Sequence, residues 1–232
     1  MSVWQYIISL ERRKEWVLRK MPSSPLRDYY EVPFPDKKSD WRQVDYLALD
    51  FETTGLDDRK DEILSIGYTT INGSCMRLAD ATHILTRPKG AIPDGSAVIH
   101  GILDDEAAKA EELEEVLPHL LNALAGKVML AHYATIEYNF LSNACKRIYG
   151  FPFIGPVVDT LSTEARILRD RDIPIQSGDL RLANVRRRYG LPRYRAHNAL
   201  TDAISAGELF LAQLATKIEG DDIRLKHLLA HS

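Results

Sequence analysis

Cysteine is almost absent from the chain: Cys75 and Cys145 stand far apart, and neither has another soft ligand nearby in the sequence. That argues against a disulfide framework and against a structural zinc site. No apolar run approaches the roughly 20 residues that span a bilayer. The apolar stretch at residues 3–10 has its positive charges, Arg12, Arg13 and Lys14, after it rather than before it. No small-residue cleavage pattern follows, so no secretory signal is read, and a soluble cytoplasmic protein is expected. An excess of charge of one sign is lacking too. The net charge is only -3, so the chain as a whole is no electrostatic magnet for a polyanion. Phosphate binding would need a local patch or bound metal ions. Internal repeats and low-complexity tracts are missing. What is present, 45% hydrophobic and 27% charged residues in a chain of 232, fits one substantial globular domain with a little to spare.

Residues 1–43 read differently from the rest. Residues 10–20 (LERRKEWVLRK) are basic and predict a helix. Pro22, Pro25, Pro33 and Pro35 are then expected to forbid regular structure. This segment is read as a peripheral extension that wraps or tethers, and residues 44–232 as the domain. Strand formers dominate residues 44–52, 62–71 and 76–86, with Asn72-Gly73 as a hairpin turn signal between the last two. Apolar spacing predicts a helix over 111–124 closed by Gly126, and another over 136–149. Short strands are expected at 127–132 and 156–159, and helices at 160–168, 179–189 and 198–218. This order predicts an α/β fold. Its mixed sheet would hold three antiparallel strands followed by parallel ones, flanked by helices.

Three constellations carry chemistry. In Leu47 to Leu56 (LALDFETTGL), Asp50 and Glu52 are two apart on a predicted strand, so both project from one face. Their Cα atoms would lie roughly 7 Å apart, close enough to converge on hard cations. Acidic pairs at this spacing are also common on edge strands, and alone the pair favours that plainer reading. In His132 to Leu141 (HYATIEYNFL), a buried strand leads into a helix that places Glu137 in its first turn. A glutamate complementing the helix dipole accounts for that position by itself. In His197 to Ala203 (HNALTDA), Asp202 again sits in a first turn beside a histidine.

In this order and at these separations the three resemble the exonuclease motifs of the DnaQ-like family of 3′→5′ exonucleases, in its His-containing (DEDDh) branch. Asp50 to Leu56 matches the form D-x-E-T-T-G-L throughout, and His197, Ala199, Asp202 and Ala203 match H-x-A-x-x-D-A. Ile99-His100-Gly101-Ile102 resembles the H-G-I segment of proofreading-type members, and Val158-Asp159-Thr160-Leu161 the D-T-L segment after the second motif. The resemblance covers about residues 44–214. The second motif departs from the pattern H-N-x-x-F-D-x-x-F-L: Glu137 stands for the aspartate and Tyr133 for the asparagine. Tyr133 is expected to fill the space that a longer acidic side chain creates.

The resemblance implies a ribonuclease H-like sheet and two-metal phosphodiester hydrolysis, with ions roughly 3.5–4 Å apart. Asp50 would bridge both ions, Glu52 and Asp202 would hold the one carrying the attacking water, and Glu137 would support the second. His197 would take a proton from that water. All-oxygen ligands point to Mg²⁺ or Mn²⁺. The loop Thr53-Thr54-Gly55-Leu56 would cradle the terminal nucleotide together with His132, with Leu56 against the base or, equally, in the core. The substrate implied is the 3′ end of a single strand of DNA, with RNA as the alternative, and the products are nucleoside monophosphates. Arg181, Arg186, Arg187, Arg188, Arg193 and Arg195 form a basic run toward His197, read either as phosphate contacts or as a solvated helix face. His83, His119, His227, His231 and the pair Tyr29-Tyr30 are given no role.

Two other readings compete: a catalytically dead binding module that keeps the fold, and a polymerase-associated proofreading subunit. Retention of Asp50, Glu52, Asp202 and His197 together favours an active enzyme. The charged stretch at 217–232 holds no Gly- or Pro-rich linker of the kind that reaches a polymerase, which favours a stand-alone nuclease.

Overall fold

The computed structural model describes residues 9–216 and 222–230. At its centre is a six-stranded sheet in the order β4-β3-β2-β1-β5-β6. β1 (Asp45–Thr53), β2 (Ile63–Asn72) and β3 (Cys75–Arg87) form an antiparallel meander. β5 (Val128–Ala131) and β6 (Val157–Asp159) extend it in parallel from β1. A two-residue β4 (Glu111–Glu112) runs parallel to β3 at the far edge. The ribonuclease H-like mixed sheet expected from the sequence is what the chain forms.

The β2–β3 turn sits one residue later than the Asn72-Gly73 signal suggests. Asn72 pairs with Cys75, so Gly73 and Ser74 make the loop, and Gly73 takes a φ of 57° at its first position. Glycine there satisfies a primed hairpin turn as well as Asn-Gly would.

Each sheet face is covered by helices. On one face Leu47, Leu49 and Phe51 pack against α5 (Leu113–Leu124) and α6 (Thr135–Tyr149). α5 opens with a capping box between Glu112 and Glu115 and buries Val116, Leu117, Leu120, Leu121 and Leu124, the apolar stripe read from its spacing. On the other face Tyr46, Ala48 and Val128 pack against α9 (Ala199–Ala215) through Phe210 and Leu214. The short helices α3 (Asp94–His100) and α4 (Asp104–Ala107), α7 (Thr160–Asp170) and α8 (Leu182–Arg188) complete the chain order.

Two expectations about the ends are corrected. The prolines of the N-terminal segment do not prevent a helix: after α1 (Leu10–Leu18), α2 (Pro25–Glu31) begins with Pro25 in its first turn and Ser24 as N-cap. Proline costs nothing there, because that N–H has no intrahelical partner. Nor is this segment peripheral. Leu26, Tyr29 and Tyr30 are buried in the same core as α5 and α6, and the two phenols donate to the carbonyls of Ile154 (3.2 Å) and Pro152 (2.7 Å). At the other end, Ile223, Leu225 and Leu228 pack into the α9-side core, and Leu225 N–H donates to the Ser39 carbonyl at 3.0 Å. The apolar stretch at 3–8, the end of the helix expected to reach 218, and His231 lie outside the described residues.

Candidate active site

β1, β5 and β6 run parallel, and their carboxyl ends open at one edge of the sheet. Ligands in α/β sheets collect at such an edge. Asp50 and Glu52 project from β1 toward the face that α9 covers, opposite Gly67 and Ser65 of β2. Gly67 decides how close α9 can come: a methyl group on it would overlap the Ala199–Leu200 peptide at the start of that helix. With only hydrogen there, the first turn of α9 descends onto the sheet and brings Asp202 to the two carboxylates. Sequence reading missed this residue, although an isolated glycine inside a strand signals close backbone approach.

Glu137 enters from the first turn of α6, just beyond β5, and is 4% exposed. Its Oε2 is buried without a hydrogen-bond partner among the described residues. A buried acceptor left unpaired is costly unless something positive or a donor meets it. Burial raises the pKa of all four carboxylates, and neighbouring acids add to it for Asp50, Glu52 and Glu137. Burial pushes Asp50 well above its ordinary value, and the charges of Glu137, Asp202 and Glu52 add to that. Glu52 rises to about 7 through burial and the neighbouring Asp202, and Glu137 to about 8 through burial, then Asp159 and Glu52. Asp202 is raised by burial, partly offset by a hydrogen bond from the His197 backbone. Glu52, His197 and Asp202 present ligand atoms all within 4.8 Å of one another. This donor set, oxygen-rich with one imidazole and repulsive without a cation, fits hard divalent ions.

His197 stands in an exposed loop before α9 with a φ of 67°, and its N–H donates to Asp202 at 2.7 Å. His100, from the H-G-I segment, lies near enough for its pKa to be lowered by His197 as well as by burial. It accepts from Ile102 N–H at 3.1 Å and meets Ser96, whose hydroxyl donates to the Thr53 carbonyl at 2.7 Å.

The loop after β1 is tied by side chains. Thr53 donates to the Gly55 carbonyl at 2.6 Å, and Thr54 contacts Asp61 at 3.2 Å while accepting from Glu62 N–H at 2.9 Å. A methyl group on Gly55 would overlap the Asp61 carboxylate. Leu56 is 80% exposed, which removes the core reading.

His132 is engaged by the protein itself. Its two ring nitrogens meet the Thr160 hydroxyl and the Leu180 carbonyl, each at 2.8 Å, which commits both to the protein. Tyr133 does not fill the interior behind Glu137. It is half-exposed with a φ of 68°, a left-handed conformation that suits the asparagine of the family pattern better than tyrosine. Its N–H donates to Asp159 at 2.8 Å, which also accepts from Leu161 N–H and the Ser162 hydroxyl. Asp159, missed as a site residue, is the N-cap that joins β6, the Tyr133 turn and α7. Among the arginines, Arg186 and Arg188 are engaged with Glu208 and Glu164, so the basic run is not one phosphate-facing surface.

Comparison with known proteins agrees with this geometry. Residues 47–210 match the RNase_T family, described as Exonuclease. A PolC-type DNA polymerase III of Thermotoga maritima is 35% identical over 166 residues, 72% of this chain but 12% of that protein. The chain thus spans about an eighth of the length of such relatives. A DNA polymerase III subunit epsilon of Treponema pallidum is 29% identical over 172 residues, covering 74% of this chain and 77% of that one. The nuclease domain of 3′hExo, a DEDDh family member solved bound to rAMP, superposes with a TM-score of 0.63. That match covers 80% of this chain and all of the other, and at 16% identity it speaks for the shared fold.

Proposed function

The chain belongs to the RNase_T exonuclease family, and from that premise we propose that it hydrolyses phosphodiester bonds one at a time from the 3′ end of a DNA strand. The observation that carries this reading is the convergence of Asp50, Glu52, Glu137 and Asp202 beside His197 at the open end of the parallel strands. The DEDDh group depends on divalent metal. Bound ions would stabilise the attacking and leaving oxygens of an in-line displacement. Asp50, Glu52, Asp202 and Glu137 would hold them, with Mg²⁺ or Mn²⁺ preferred by the oxygen donors. The partnerless Glu137 Oε2 supports its place in that set.

In this reading His197 removes a proton from the attacking water as its oxygen bonds to the terminal phosphorus. The bond from that phosphorus to the preceding 3′ oxygen breaks and that oxygen takes a proton from solvent, leaving a nucleoside 5′-monophosphate and a strand one unit shorter that ends in a 3′-hydroxyl. Thr53 to Leu56 line the place of the last nucleotide, with Leu56 offering an apolar surface to its base. A cytoplasmic location belongs to the same proposal. No helix among the described residues is long and apolar enough to cross a membrane, and the relatives named above are bacterial polymerase proteins.

Those relatives also favour a second reading, in which the enzyme proofreads beside a polymerase. Digestion of matched DNA and RNA strands labelled at the 5′ end, with Mg²⁺, Mn²⁺ or chelator, tests the main one. A ladder of labelled products shortening from the 3′ end is expected, strongest on DNA and absent with chelator. Shortening that is metal-independent, or release of the labelled 5′ nucleotide first, would overturn it.

A further inference from the structure

Arg186 is the exception in the basic run, 4% exposed where its neighbour Arg187 lies open. From α8 its guanidinium donates to the Ser205 carbonyl at 2.7 Å, the Pro192 carbonyl at 2.9 Å and the Glu208 carboxylate at 2.7 Å. The other oxygen of Glu208 accepts from the Tyr194 hydroxyl at 3.0 Å, and the Tyr194 ring lies 4.8 Å from the guanidinium carbon. Ser205 and Glu208 belong to α9, whose first turn carries Asp202. Pro192 and Tyr194 belong to the segment that ends at His197.

At its far end the segment is held by the His197 N–H bond to Asp202 and by Asn198 capping α9, and among the described residues little else holds the stretch between Pro192 and His197. Residues 192–198 are all exposed, and a cavity of about 310 Å³ bordered by Arg186, Pro192, Tyr194, Ala196, Asp202 and Ser205 lies beside them. Apolar burial therefore does not place this loop. A charge-assisted network does, and such bonds are both directional and roughly twice as strong as neutral ones. We propose that Arg186, Glu208 and Tyr194 are positioning residues that hold the His197 loop in register with Asp202. The proposal rests on the reading of His197 as the proton acceptor, and it explains why one arginine of an otherwise solvated run is buried.

The test uses Tyr194→Phe, which removes one hydroxyl from an exposed ring and leaves the core untouched, and Glu208→Gln as a second lesion. Each should lower kcat about tenfold with KM unchanged, since misplacing a reacting group by an ångström can cost about a hundredfold and each lesion leaves part of the network in place. In the His197→Ala background neither should lower kcat further, because residues that act through one group are not additive with its loss. Independently of activity, trypsin should cut the metal-free variants faster than the wild type after Arg193 and Arg195, mapped by mass spectrometry. Full kcat in both variants, or a loss that persists without His197, would overturn the positioning role. If even the wild type shortens no strand, the reading of the site fails instead. The trypsin rates then decide the network alone, and unchanged rates overturn it.

Discussion

Gly67 lies directly across the β1–β2 pair from Asp50, and the Ala199–Leu200 peptide of α9 rests on its α-carbon. The distance between the first-motif and third-motif acids is therefore governed by a residue of neither motif. Gly67→Ala should push α9 away from β1, destabilise the fold by about 1–3 kcal/mol as overpacking does, and cut exonuclease turnover at least tenfold. Thermal unfolding and kcat measured together check this. Wild-type turnover would show that the descent of α9 onto the sheet does not set the site.

The clustered acids also predict how stability depends on pH. Glu52 and Glu137 hold protons up to about 7 and about 8 when folded, above their ordinary value of 4.5. Between those values the native state binds more protons than the unfolded one, so metal-free stability falls as pH rises toward 8. Saturating Mg²⁺ should flatten the fall, because cations favour the ionised acids. Glu137→Gln should raise the metal-free Tm at high pH, weaken the Mg²⁺ effect and cut activity strongly. Glu137→Asp should give no better enzyme than the wild type. Melting curves across pH with chelator or Mg²⁺ decide it, and a Glu137→Gln protein that titrates with metal like wild type would reduce Glu137 to a helix-start charge.

Tyr133 occupies a left-handed position that costs a non-glycine residue roughly 1–2 kcal/mol. Asparagine visits this region more readily, so Tyr133→Asn should stabilise the protein by about 1 kcal/mol. A decrease in denaturant midpoint would show that the half-exposed ring contributes more than its backbone costs.

The buried tyrosine pair gives the N-terminal segment a measurable weight. Tyr30→Ala should destabilise by about 3–5 kcal/mol, the usual cost of removing a buried aromatic ring. A change within 0.5 kcal/mol, the range of surface substitutions, would return residues 9–43 to the status of an appendage.

Much of this was legible from residue order alone. The central strands and the long helices follow from apolar periodicity, and Asp50, Glu52, Glu137, Asp202 and His197 gather as their motifs imply. What escaped depends on contacts between distant segments. Pro25 reads equally as a breaker or as a first-turn residue until Ser24 is seen to cap the helix. His132 is available to a substrate in sequence, but the fold brings Thr160 and Leu180 to both ring nitrogens. Arg186 and Arg187 are neighbours in one run, and only the placement of Glu208 and Pro192 separates a buried clamp from a solvated charge. Asp159 acts by capping two turns with its carboxylate and Gly67 by the backbone approach it permits, and periodicity is blind to both.

The His197 side chain carries a separate expectation. His197→Ala should lower the rate by roughly 10²–10⁴-fold, the range for a positioned general base, with metal and strand affinity little changed. Retention of the full rate would leave it a helix-start residue.

The central claim is that the acids at the end of β1 and the start of α9 hold the catalytic metal. Its most direct measurement is the rate of 3′-end shortening by Asp50→Asn and Asp202→Asn as Mg²⁺ is raised to saturation, with circular dichroism showing both folded. The account predicts that neither variant shortens the strand at any Mg²⁺ concentration. Near wild-type turnover by either one at saturating Mg²⁺ would contradict it.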